Sequence, residues 1–145
     1  MSFTGLKPYF KTRLDSINSG ALKEWADAFN VDNIPATALD KAYHIEIQPA
    51  SYVGSAHGCL GFSASVRVRA FFKGHARPAL AIDKAAEYVD SIIKECCKST
   101  NRLNEPKVKN ILPNSVDIKA LEQSNDNVAV LDIVFSCTVY LDPDN

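Results

Sequence analysis

Phe62-Ser63-Ala64-Ser65-Val66-Arg67-Val68-Arg69-Ala70-Phe71-Phe72-Lys73 is the most regular stretch of the chain. Successive side chains of a strand point to opposite faces. Phe62, Ala64, Val66, Val68, Ala70 and Phe72 therefore share one face, and Ser63, Ser65, Arg67, Arg69, Phe71 and Lys73 share the other. The pattern predicts a strand with an apolar core side and a basic outer side. Gly74 ends it, and Pro78 opens a helix at the position where a missing N–H costs least. Beyond Pro78, Ile82, Ala85, Val89, Ile92 or Ile93, and Cys96 recur in three- and four-residue steps, with Asp83, Lys84, Glu87, Asp90, Lys94 and Glu95 on the remaining surface. This is the period of an amphipathic helix.

Downstream, a polar connection from Ser99 passes through Pro106 and Pro113 to a predicted strand from Ser115 to Leu121, with Val116, Ile118 and Ala120 on one face. Ser124-Asn125-Asp126-Asn127 is a turn signal, because these side chains bond their own backbone and tolerate left-handed conformations. Val128 to Leu141 follows as a long strand, so the two strands are expected to form an antiparallel hairpin. Upstream, Leu6, Phe10, Leu14 and Ile17 mark one helical face, with Thr4 as its expected cap, Pro8 inside the first turn and Ser19-Gly20 as its stop. Ala21 to Ala42 reads as a structured excursion carrying Trp25 and Phe29. Tyr43 to Ile47 alternates as a strand, and Gln48 to Gly61, punctuated by Gly54, Gly58 and Gly61, reads as a long loop.

These elements predict a single α+β domain over residues 1–145, with a mixed or antiparallel sheet of about four strands and two main helices packed on one face. Ala129, Leu131, Ile133, Phe135, Cys137 and Val139 supply the helix-facing side of the last strand. On its other side Val128, Val130, Val134 and Tyr140 interrupt Asp132, Ser136 and Thr138. Two helices cover one face of such a sheet, so the second face needs other material. A contiguous apolar patch marks an association surface, and two readings follow: another subunit covers it, or the Trp25–Ala42 excursion folds over it.

The 145 residues, 46% hydrophobic and 23% charged, fit one globular domain and exclude collagenous or low-complexity classes. A chain of this size buries roughly 68–70% of its unfolded surface and needs no metal or disulfide to make a core. Sixteen Lys and Arg against seventeen Asp and Glu give a net charge of -1, unsuited to coating nucleic acid. Cys59, Cys96, Cys97 and Cys137 form no C-x-x-C and read as reduced thiols. Met1-Ser2-Phe3-Thr4-Gly5 begins no secretory signal, so synthesis in the cytoplasm is expected, and no apolar run reaches the roughly 18–20 residues of a membrane span.

Chemistry is thinly marked. His57 two residues before Cys59 lacks a second ligand pair for metal. Cys59 or Ser63 with His57 as base lacks an activating motif. The glycine-rich 54–61 stretch precedes a strand instead of opening a helix, the wrong order for a phosphate loop. No catalytic, metal or cofactor residue is therefore assigned. Arg67, Arg69 and Lys73 concentrate positive charge that could meet acidic groups of a neighbouring subunit or a passing nucleic acid, or simply face solvent. Trp25 reads either as an interface anchor or as a core residue.

The order of elements, together with Ala28-Phe29-Asn30-Val31-Asp32-Asn33-Ile34-Pro35, Val68-Arg69-Ala70-Phe71-Phe72-Lys73-Gly74 and Asn125-Asp126-Asn127 before a long apolar strand, resembles the tail terminator proteins of long-tailed bacteriophages over about residues 6–140. The resemblance implies a virion protein of the head–tail junction, a homohexameric ring that caps the tail tube, ends its polymerisation and meets the head-side connector. DNA would pass through the ring without specific binding, and no catalytic residue carries over. Ring closure needs heterologous contacts, one patch on a different patch of the next copy. Tyr52 and His57 would then lie on an arm reaching tube or connector, with Trp25, Arg67, Arg69, Lys73, Val128, Val130 and Val134 at subunit or partner interfaces. Two alternatives stand beside this reading: a different head–tail neck protein, or a small-ligand-binding or hydrolytic α+β domain using the His57–Cys59 region.

Overall fold

The computed structural model describes residues 3–25, 40–56, 58–74, 78–98, 108–123 and 126–144. Most of the Ala21–Ala42 excursion, both His57 and His75, the 99–107 connection and Ser124-Asn125 lie outside them. In chain order the elements are α1 (Leu6–Ser16), β1 (Lys23–Glu24), β2 (Ala42–Ile47), β3 (Ser51–Ala56), β4 (Cys59–Lys73), α2 (Pro78–Cys97), β5 (Val108–Gln123) and β6 (Asp126–Leu141), with 3-10 turns at Phe3–Gly5 and Ile17–Ser19. The protein is α+β, with a six-stranded mixed sheet of order β1-β2-β4-β6-β5 and β3 paired to β4. β1 runs parallel to β2, and all other pairings are antiparallel.

The expected count of about four strands falls short by two for separable reasons. β1 has two residues, too few to show a period. The expected Gln48–Gly61 loop is strand on both sides of a tight turn. Ala56 pairs with Cys59, and Gly58 just before Cys59 has a φ of 80°. Only glycine adopts that conformation without cost. β2 and β3 together line one side of β4 from Phe71 to Cys59, and β6 pairs with its other side from Leu60 onward, so the β3–β4 hairpin, here called the arm, is part of the sheet.

Both helices lie on the face of the sheet made by alternate residues of β4 and β6. Leu6, Phe10, Leu14, Ile17, Ala85, Ile92 and Cys96 join Ala64, Val66, Val68, Ala70, Phe72 and the Ala129–Val139 alternation in one core. Phe10 packs on Phe135 with ring centroids 5.3 Å apart, and Phe72 on Tyr88 at 4.9 Å. The cap of α1 falls on Gly5, not Thr4, because the preceding residues form their own 3-10 turn. The buried stripe of α2 begins at Ala81 and continues through Ala85, Tyr88, Ile92 and Cys96, which leaves Ile82 exposed where a core position was expected. Close packing selects the smaller residue: a Cβ added to Gly74 would stand 2.3 Å from the backbone nitrogen of Ala81, so the first turn of α2 crosses directly over the end of β4.

Candidate interaction surfaces

The outer face of the sheet is not a basic surface. Register sets Glu46 opposite Arg67 and Asp132 opposite Arg69. Arg69 donates from Nε to Asp132 Oδ1 at 2.8 Å and from Nη2 to Oδ2 at 3.0 Å, a two-pronged match. The hydrogen bond to Asp132 holds the guanidinium proton even more firmly than usual, against the effect of burial. Arg67 Nη1 stands 3.6 Å from Glu46 Oε2, while its buried Nε has no hydrogen-bond partner. The expected run of positive charge is thus largely answered within the chain. One strand read alone does not show which acidic residue its neighbours will place alongside.

At one end of this face Ala42, Phe71 and Val128 form a second small core, against which half-buried Trp25 and Val130 pack. Val128 is 1% exposed and is enclosed by its own chain, which corrects its expected place at a partner interface. Trp25 closes β1, its N–H donating to the Tyr43 carbonyl at 2.7 Å. Val134 is half-buried nearer the middle of the face. The outer face is therefore partly sheltered by Trp25 and partly capped by ion pairs, and less bare than its apolar residues suggest.

Exposed apolar side chains gather elsewhere. Tyr52 (57%) and Val53 (59%) lie on the hairpin arm, Leu80 (47%) and Ile82 (37%) on the first turns of α2, and Leu112 (57%) and Val116 (44%) on β5. Tyr52 pairs in register with Phe62, whose ring it meets edge-on at 5.8 Å, and its hydroxyl lies 2.9 Å from Ser55 Oγ. Leu80 borders an open hollow of about 380 Å³ lined by Lys73, Gly74, Asp83, Lys84 and Glu87. Beside it Asp40 accepts from Lys84 Nζ at 3.0 and 3.1 Å and from the Lys73 N–H at 2.9 Å. From Phe62 to Lys73 is about 35 Å of extended strand, so the arm and the hollow sit near opposite ends of β4.

Of the nine residues singled out from sequence, Trp25, Val128 and Val130 are brought together, and Arg67, Arg69 and Val134 share the adjoining surface. Lys73 borders the hollow, Tyr52 stands alone on the arm, and His57 is outside the described residues. Val53, Leu80, Ile82, Leu112 and Val116 were missed. Val53 next to Tyr52 in a strand was a readable signal, whereas the period of α2 alone does not separate buried Ala81 from exposed Ile82.

All four cysteines are free thiols. Burial pushes Cys137 up to about 11 and holds Cys96 well above the ordinary thiol range, so neither is poised as a nucleophile. Among the described residues no group of three or more His, Cys, Asp or Glu could hold a metal ion, and no helix is long and apolar enough to cross a membrane. No family model matches the chain, and no curated protein is significantly similar to it. Fold and surfaces together define an α+β protein that, among the described residues, exposes large apolar side chains at separate places on β3, α2 and β5.

Proposed function

We propose that the chain is a structural subunit of a bacteriophage virion. Copies of it form a ring, of six by the family resemblance, that caps the tail tube, ends its polymerisation and joins the tail to the head connector. The role involves assembly without turnover or cofactor. The observation that carries this reading is the separation of exposed apolar side chains, Tyr52 and Val53 on β3 and Leu80 beside the hollow at the start of α2. Head-to-tail closure requires two different surfaces on every copy, and these two places lie near opposite ends of β4. The ion pairing of Arg67 and Arg69 supports passage of DNA without specific binding, because little uncompensated charge is left on that face for phosphates.

Addition of the purified protein to growing tail tubes tests the role. Tubes of fixed length bearing a terminal ring are expected; continued growth would refute capping. Association with isolated head portals but not with tube ends would instead assign the chain to another position in the neck.

A further inference from the structure

β5 is the last strand of the sheet order, paired to β6 alone among the described residues. An exposed edge of this length offers a row of backbone donors and acceptors to another strand. Its first half is blunted. Pro113 lies there, and both interruptions of the register, Lys109/Leu112 and Pro113/Ser115, precede Ser115. From Ser115 to Gln123 the pairing with β6 is unbroken.

The regular half carries a pattern that is its own complement. On the helix side Val116 and Ala120 are exposed and flank half-buried Ile118. On the outer side Asp117 and Lys119 flank the same residue. Asp117 stands directly opposite Asp132, whose oxygens are both taken by Arg69. Across the sheet the row runs Arg69, Asp132, Asp117 and ends at the open edge on a carboxylate beside a carboxylate. The cation nearest in its own strand, Lys119, is 3.4 Å away, with the two side chains 74% and 53% exposed. An exposed pair of this kind contributes little. A cation arriving from beyond the edge would complete the row.

We propose that β5 pairs antiparallel with β5 of a second copy about a two-fold axis at Ile118. Asp117 of each copy then faces Lys119 of the other, and Val116 packs on Ala120 across the seam. A two-fold contact must be self-complementary, and Asp117 and Lys119 placed symmetrically about Ile118 satisfy that condition in sequence and in register. The contact is short, so it belongs to the weak class of association. It is a contact of the free protein, separate from the head-to-tail surfaces at Tyr52 and Leu80, and does not depend on the ring.

Sedimentation velocity over a range of protein and salt concentrations reads it as a twofold step in mass. The wild-type chain is expected to show that step, weakening with salt. Asp117→Lys and Lys119→Asp, both at exposed positions, should each weaken it by roughly tenfold or more by setting like charges together, with unchanged circular dichroism. The double variant Asp117→Lys/Lys119→Asp should restore it. Absence of the twofold step in the wild type, a step indifferent to Asp117→Lys, or a double variant no better than the single ones would each overturn the proposal. Rings or tube caps that persist in Asp117→Lys are expected, since that contact lies elsewhere.

Discussion

Gly74 shows how one residue sets a packing distance. Its N–H donates to the Asn127 carbonyl at 2.8 Å, and its missing side chain lets α2 pass over the end of β4. Gly74→Ala would force the two apart. A loss of about 2–3 kcal/mol, the upper range for overpacking, is expected in urea unfolding, and an unchanged midpoint would contradict the crossing. Asp15 illustrates an electrostatic tie. Burial works against its ionisation, but the hydrogen bonds from Lys11 and from Tyr43, whose hydroxyl donates at 2.7 Å, outweigh it and hold the carboxyl below its ordinary value. A carboxyl lowered in the folded state stabilises the fold above its unfolded pKa, and that contribution is lost as pH falls through the lowered value. Tyr43→Phe removes one of these bonds. With Asp15 44% exposed, the expected cost at pH 7 is about 0.5–1 kcal/mol. The gap to wild type should narrow below about pH 4, and equal gaps at pH 7 and pH 3 would contradict this account.

The hairpin arm and the edge strand are where sequence and structure part. The β4 alternation, the α2 period and the long β6 strand were legible because each carries a complete one-sided apolar pattern. The β3 strand was not, since Ser51-Tyr52-Val53-Gly54-Ser55-Ala56 has no buried side to reveal it and a register irregularity between Tyr52 and Gly54 breaks any period. β5 was read only from Ser115 to Leu121, because Pro113 and the two irregularities obscure its first half. The exposed apolar positions were half visible: Tyr52 stands out in the sequence, while Ile82 reads as core and gives way to Ala81 at the start of the buried stripe of α2. Tyr52→Ser/Val53→Ser changes exposed positions on the arm and should leave unfolding within about 0.5 kcal/mol of wild type. Ring formation should be lost, and rings unchanged in this variant would remove the arm from the contact.

On the scale of the molecule, the helices and the sheet enclose one large core, and the outer face is closed at one end by the Trp25 cluster and braced by the Arg69–Asp132 and Arg67–Glu46 pairs. Among the described residues a single copy thus encloses most of its own apolar side chains. What remains outward is divided among the arm, the hollow beside α2 and the β5 edge, which suits a body that meets several neighbours at once. Negative-stain imaging of the purified protein, alone and mixed with tail tubes, tests this account most directly. Closed annuli, free or seated on tube ends, are the expected result; single-copy particles at every concentration together with bare tube ends would contradict it.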